Sequence, residues 1–214
     1  ESYGYDAGDH LTRRTDALGR SESITYDAQG RVATRTDRKG QVKRSHYDAE
    51  SRLVRLERAD GNLSIGYDAV GRVQRIDDSA SGSSVSYEYD NADRVLKETQ
   101  STAAGTNVVA YEYDALDRRI KRTVNGTEAT TYAYDKASRL TGIGYAGQTT
   151  AYAYDAAGRL TTKTLPNGIT QTFGFDNASR LLSITYAQPD ATVIETISYS
   201  YDANGRRTSK TSAS

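Results

Sequence analysis

The sequence has no cysteine, no methionine and no tryptophan, and only two prolines in 214 residues. Without cysteine there can be no disulfide, no thiol nucleophile and no thiolate zinc site. No apolar run approaches the roughly 20 residues that a membrane helix needs, so no membrane span is expected. Charge of neither sign is in excess: 28 Lys and Arg balance 28 Asp and Glu. That balance argues against a nucleic-acid partner, because phosphate binding draws its affinity from clustered positive charge. No basic n-region followed by an apolar h-region opens the chain, so no signal peptide is visible. A start at Glu1 without any Met reads as a piece of something longer. Large apolar residues are also scarce. Leu, Ile, Val and Phe number 34 of 214, below the roughly 20% level that signals disorder, but disorder also needs a high net charge. Seventeen Tyr supply part of the missing apolar surface, and Tyr and Thr both favour strands.

What the sequence has is a repeat. An aromatic recurs ten times, at Tyr5, Tyr26, Tyr47, Tyr67, Tyr89, Tyr113, Tyr134, Tyr154, Phe175 and Tyr201, in steps of 20 to 26 residues. Asp follows it every time: Asp6, Asp27, Asp48, Asp68, Asp90, Asp114, Asp135, Asp155, Asp176 and Asp202. Arg comes four residues later in nine units, at Arg31, Arg52, Arg72, Arg94, Arg118, Arg139, Arg159, Arg180 and Arg206. The first unit has His10 in that slot.

Each unit reads as two strands joined by the motif. A second aromatic or aliphatic precedes the motif aromatic by two residues, as in Tyr87-Glu88-Tyr89 and Tyr152-Ala153-Tyr154, and a spacing of two shares one face of a strand. The third unit departs, with Ser45 there. Asp opens a turn because its carboxylate accepts nearby backbone N–H groups. Three positions on stands Gly30, Gly71, Gly158 or Gly205, or else Ser, Asp93 or Asp117, suiting a left-handed turn residue. Between motifs lies a second turn signal: Asp60-Gly61, Asn125-Gly126 and Asn167-Gly168 fit type I′ hairpins, with Gly19, Gly40, Gly82, Gly105 and Gly147 at matching places. Ten units predict about 20 strands of five or six residues.

These residues resemble the YD-repeat, or Rhs (rearrangement hotspot), family. Tyr154-Asp155-Ala156-Ala157-Gly158-Arg159-Leu160 matches its signature residue by residue, and the resemblance runs from Tyr3 to about Arg207. The family includes bacterial Rhs toxins, C components of Tc toxin complexes and animal teneurins. The resemblance implies β-hairpins laid side by side in a spiralling sheet that closes into a hollow shell. In the toxins that shell holds a toxin domain until delivery; in teneurins it is an adhesion scaffold. Two departures stand out. The family's shells are built from many more repeats than ten, and its toxins carry a self-cleaving segment with an Asp-Pro-x-Gly-Leu type motif after the repeats. Neither Pro166 nor Pro189 follows an Asp, so the scaffold is carried over and the self-cleavage is not.

A sheet this wide has one face of Tyr, Leu, Ile and Val that must be hidden by rolling up, folding over or wrapping a partner. Curling into a trough or partial shell is favoured, because open twisted sheets rarely exceed about ten strands without curling. The motif Asp and Arg should pair within each turn, and each Arg could reach the next unit's Asp to form a charge ladder. Ten turn aspartates could also suggest calcium, but they lack the dense acidic spacing of a calcium loop. Tyr rows could stack on sugars, though a buried sheet face explains them as well. His10 and His46 give no convergent catalytic constellation. The sequons at Asn62, Asn125 and Asn177 are read as chance.

The expectation is thus an all-β array of tandem hairpins forming a curved antiparallel sheet over residues 1–214. It would be a non-catalytic shell segment without cofactor or metal. Its partners would be the rest of an Rhs-type shell and an enclosed toxin or effector, in a secreted or cell-surface bacterial protein. The alternative is a carbohydrate- or protein-binding adhesion module.

Overall fold

The computed structural model describes residues 1–214 and is all β, with twenty strands and no helix. No helix is therefore long and apolar enough to cross a membrane. Contacts divide the chain into two units, residues 1–109 and 110–214.

The first unit runs β1 (Ser2–Tyr5), β2 (Leu11–Thr15), β3 (Ser21–Tyr26), β4 (Val32–Thr36), β5 (Val42–Tyr47), β6 (Leu53–Arg58), β7 (Gly61–Tyr67), β8 (Val73–Asp78), β9 (Ser83–Tyr89) and β10 (Val95–Thr102). Each of these strands pairs antiparallel with its sequence neighbours. β11 (Gly105–Tyr113) holds the boundary between the units. The second unit runs β12 (Arg119–Val124), β13 (Glu128–Tyr134), β14 (Leu140–Tyr145), β15 (Gln148–Tyr154), β16 (Leu160–Thr164), β17 (Thr170–Phe175), β18 (Leu181–Ala187), β19 (Val193–Tyr201) and β20 (Arg207–Ala213), again a neighbour-to-neighbour antiparallel meander.

Register explains why the sequence alternates as it does. In the second unit Tyr132 lies opposite Ile143, Phe173 opposite Ile184, and Ile184 opposite Ile197. These share one face with Tyr134, Tyr154 and Phe175, because side chains two apart point the same way. The other face carries Gly142 beside Ala151, Thr162 beside Thr172, Thr172 beside Thr185 and Ser183 beside Ser198. A one-residue slip would exchange the two sets, so the pattern pins the register.

Each motif hairpin also shifts register at its aromatic. Tyr154 pairs with Leu160 while Ala153 pairs with Thr162, leaving Thr161 as a bulge residue. Tyr26–Val32, Tyr47–Leu53, Tyr67–Val73, Tyr134–Leu140 and Phe175–Leu181 repeat that shift. A bulge disrupts the ladder locally and re-aims a group; here it is the aliphatic residue after the Arg.

Of the ways expected to hide the apolar face, folding over is not seen within either unit. Strands contact only their sequence neighbours within each unit, and no hydrophobic side chain is buried. The reason lies in composition. A second layer needs large aliphatics on a continuous face, and this chain has few. Its stabilising contacts run sideways, from one hairpin to the next.

The second-turn expectation is corrected too. Asn125-Gly126, with φ of 51° and 75°, and Ala146-Gly147, with 50° and 77°, have both central residues left-handed, as a type I′ turn needs. Asn167 is not left-handed; Gly168 alone is, at 82°. Leu165 donates to the Ile169 carbonyl at 2.8 Å and Gly168 to the Leu165 carbonyl at 2.9 Å, a longer loop with a bulged glycine. At Asp60-Gly61 the ladder resumes with Arg58 opposite Gly61, so Gly61 belongs to the strand.

Candidate functional site: a clamp between repeats

The motif turn is one structure built ten times. The Asp N–H donates to the carbonyl of the residue four on, at 2.8 to 3.0 Å. The residue three after the Asp is left-handed in every unit: Asp9, Gly30, Ser51, Gly71, Asp93, Asp117, Ser138, Gly158, Ser179 and Gly205, with φ between 61° and 92°. The position forecast for a small residue is thus the one the turn strains, and four units use glycine to relieve it.

The aspartate carboxylate is held on both oxygens. In the eighth unit Asp155 Oδ1 accepts the Arg159 N–H at 2.9 Å and Oδ2 accepts Arg159 Nε at 2.7 Å. The nine Asp–Arg pairs have Nε–Oδ2 distances of 2.6 to 3.1 Å. The Arg159 backbone N–H, then its guanidinium, hold Asp155 below the usual carboxylate range, and Arg139 and Arg180 act the same way on Asp135 and Asp176. For Asp90 and Asp114 the guanidinium hydrogen bond is the largest influence. For Asp27, Asp48 and Asp68 burial is the largest influence and pushes upward, but the hydrogen bonds from the paired Arg outweigh it. Carboxylates committed this way are poor candidates for calcium, and no cluster of three His, Asp or Glu side chains converges.

The guanidinium has a second side, which faces the next hairpin of its unit. Arg139 Nη1 donates to the Asp155 carbonyl at 3.0 Å, Arg159 to that of Asp176 at 3.0 Å, Arg72 to that of Asp90 at 3.0 Å and Arg118 to that of Asp135 at 3.1 Å. Arg31 reaches Ser51 Oγ at 3.0 Å. The predicted ladder from Arg to the next aspartate carboxylate is therefore replaced by bonds to that Asp's main chain and to the left-handed residue. The physical reason is that the carboxylate is already bound by its own Arg. Arg72 does find a carboxylate next door, Asp93 at 2.6 Å, because Asp occupies the left-handed slot there.

The same guanidinium covers the next aromatic ring. Its carbon lies 4.5 Å from the ring centroid of Tyr47 for Arg31, 4.6 Å from Tyr67 for Arg52, 4.5 Å from Tyr89 for Arg72, 4.8 Å from Tyr134 for Arg118, 4.9 Å from Tyr154 for Arg139, 4.9 Å from Phe175 for Arg159 and 5.1 Å from Tyr201 for Arg180. These distances fit cation–π contact. The ring's hydroxyl then reaches back. Tyr47 donates to the Val32 carbonyl at 3.0 Å, Tyr67 to Leu53 at 2.9 Å, Tyr89 to Val73 at 2.6 Å, Tyr134 to Arg119 at 2.9 Å, and Tyr201 to Leu181 at 2.9 Å. The acceptor is always the residue after the previous Arg, at the bulge. One guanidinium face of each such ring is thus occupied, which removes it from any stacking on a sugar.

In the first unit His10 stands in for Arg. Its Nδ1 lies 3.2 Å from Asp6 and its ring centroid 4.8 Å from that of Tyr26, whose hydroxyl donates to the Leu11 carbonyl at 2.9 Å. His46 lies elsewhere, on the face opposite Tyr47, 3.2 Å from Glu57.

Sequence reading missed a second set of turns with the same design. Asp16 Oδ1 accepts the N–H groups of Leu18 at 2.9 Å and Arg20 at 3.0 Å, its Oδ2 accepts Arg20 Nε at 2.9 Å, and Gly19 is left-handed at 76°. The signal was present as Asp16-Ala17-Leu18-Gly19-Arg20, the motif without its aromatic.

The family model of the teneurin YD-shell matches residues 1–122 and 57–213. Among solved structures, a crystal structure of TcdB2-TccC3-TEV is similar with a TM-score of 0.79 at 17% identity over 97% of this chain. One of TcdB2-TccC3 gives 0.73 at 17% over 97%, and the Photorhabdus luminescens Tc holotoxin pore gives 0.55 at 20% over 88%. The chain spans 12%, 14% and 10% of those three solved chains. No curated protein sequence matches.

Proposed function

Because the chain belongs to the teneurin YD-shell family, we propose that it is a stretch of shell wall whose work is to enclose and shield a toxin or effector cargo. The observation that carries this reading is the clamp. Its hydrogen bonds and ring contacts join each hairpin to the next in its unit, and within each unit the sheet has no second layer. A single-layer sheet held along its own width is what a wall requires: both faces stay free, one for the interior and one for solvent. Repeat arrays extend by adding nearest-neighbour interfaces, so the same junction can build a wall of any length. The wall would act by physical exclusion of proteases and partners and needs no catalytic group. Partners on this reading are further YD repeats and the enclosed cargo, in a secreted or surface-exposed bacterial protein.

This chain has no cysteine of its own, so any cysteine elsewhere in the full-length protein is first replaced by serine. Gln171 shares the face of Phe173, and Thr172 points to the opposite one. Single cysteines placed at these two positions in the full-length protein are treated with a small maleimide and with a polymer-linked maleimide. Enclosure predicts that both react with the small reagent while one face excludes the polymer. If the polymer reaches both faces equally, the reading fails.

A further inference from the structure

Asparagine followed by glycine occurs three times, at Asn125-Gly126, Asn167-Gly168 and Asn204-Gly205. The pair carries its own chemistry. The glycine amide nitrogen can attack Cγ of the asparagine side chain, because glycine has no Cβ to shield it. Three features of a turn oppose that step: a hydrogen bond that ties up the attacking N–H, packing against the glycine, and anchoring of the asparagine. The structure distributes them unequally.

At Asn167-Gly168 all three are present. The Gly168 N–H donates to the Leu165 carbonyl at 2.9 Å, and Asn167 Oδ1 accepts the Ile169 N–H at 3.2 Å. Pro189 from the β18–β19 turn packs on the glycine, so that an added Cβ would lie 2.7 Å from its Cγ. At Asn204-Gly205 two are present. The Gly205 N–H donates to the Asp202 carbonyl at 3.0 Å, and the Asn204 N–H to Asp202 Oδ1 at 3.0 Å. At Asn125-Gly126 the bond that closes the hairpin runs from the Thr127 N–H to the Val124 carbonyl at 3.2 Å, and the Gly126 N–H has no backbone acceptor. Residues 125 to 128 are all exposed, and an added Cβ on Gly126 would meet nothing within 4 Å.

We propose that Asn125 is a site of spontaneous covalent modification, its side-chain amide becoming a carboxylate through a cyclic imide formed with Gly126. The Gly126 nitrogen bonds to Asn125 Cγ, and the bond from Cγ to the side-chain nitrogen breaks. That nitrogen leaves as ammonia and carries away the proton of the Gly126 N–H. Water then opens the imide at one of its two carbonyls. One opening gives aspartate. The other gives isoaspartate, in which the main chain runs through Cβ. Water is the only co-reactant, and nothing is oxidised or reduced. Either product adds a negative charge three residues before Glu128 in a chain whose charges otherwise balance. Isoaspartate also adds a carbon atom to the main chain inside the turn that the Thr127 bond closes.

The test follows the purified protein over time at mildly alkaline pH, folded and in urea, with tryptic peptides read by mass spectrometry. Cleavage after Arg122 and Lys136 separates Asn125 from every other asparagine. In the folded protein Asn125 should convert at least about fivefold faster than Asn167 or Asn204, the retardation expected of one held amide hydrogen bond. Isoaspartate-specific methylation should label the same peptide. In urea all three sites should convert at similar rates, because the turns that protect two of them are gone. Asn125→Gln, whose longer side chain would have to close a larger ring, should leave its peptide unmodified. The proposal is overturned if Asn125 in the folded protein is no faster than the other two, if urea fails to bring Asn167 and Asn204 up to its rate, or if the Gln variant is modified as fast as the parent.

Discussion

Tyr154 donates its phenolic hydrogen to the carbonyl oxygen of Leu140 at 2.9 Å, a bond from one repeat to the repeat before it. The acceptor sits where the hairpin bulges, so an irregularity in one ladder provides the anchor for the next. The ninth repeat supplies a natural comparison, because Phe175 occupies the same place and has no hydroxyl to give.

That comparison yields a paired prediction. Tyr154→Phe should lower stability by about 1 kcal/mol, the usual net value of one hydrogen bond. Phe175→Tyr should raise it by a similar amount, with the Leu160 carbonyl as acceptor. Urea unfolding of the two variants checks this; equal effects of the same sign would show that the hydroxyl is irrelevant.

Arginine at the clamp does three things at once, which a lysine ammonium cannot do together. Arg139 pairs with Asp135, donates to the Asp155 carbonyl and covers Tyr154. Arg206 pairs with Asp202 but is 76% exposed. Arg139→Lys should therefore lower the unfolding midpoint clearly more than Arg206→Lys. The planar fork that spans two hairpins has no substitute in an ammonium.

The motif turn, its left-handed position and the strand pairs were all legible in the sequence, because they join residues of the same or adjacent strands, no more than 17 positions apart. Asp155, Gly158 and Arg159 announce a turn by themselves. The lateral clamp was less legible. Nothing in the spacing of Arg139 and Tyr154 says that the guanidinium will lie on the ring or avoid the Asp155 carboxylate. That follows from a competition, since the carboxylate already has two donors from its own turn. What covers the apolar face was not legible for a related reason. Alternation shows that a face is apolar, but not whether anything in the chain covers it.

Acid should weaken the array through the same aspartates. Asp135, Asp155 and Asp176 have folded pKa values below their unfolded ones. The unfolded chain therefore binds more protons than the folded one across that interval, and stability rises with pH there. The contribution is fully present above the ordinary carboxylate range, near about 4, and is lost as pH falls through the lower folded values. Urea midpoints should be flat from neutral pH down to roughly 5 and then drop, and Asp155→Asn should shallow that drop. A midpoint that rises on acidification would contradict the assignment.

Gly158 is left-handed at 82°. Adding a side chain there costs on the order of 1 kcal/mol, because Cβ approaches the next carbonyl. Gly158→Ala should be destabilising by that amount, whereas Gly142→Ala, at an ordinary φ and with the Ala133 methyl 3.5 Å from the new Cβ, should be milder. Equal losses would mean that crowding, not backbone handedness, governs these positions.

The first repeat offers a gain-of-stability test of the whole scheme. His10 occupies the arginine slot and keeps two of the clamp's contacts, the 3.2 Å approach to Asp6 and the ring contact with Tyr26. It lacks a reach long enough to donate across to the next turn, as Arg31 does to Ser51 at 3.0 Å. His10→Arg should restore the full contact set over Tyr26 and raise the urea unfolding midpoint. If the variant is no more stable than its parent, the clamp's arginine contributes nothing beyond the turn it closes, and the account of lateral cohesion is wrong.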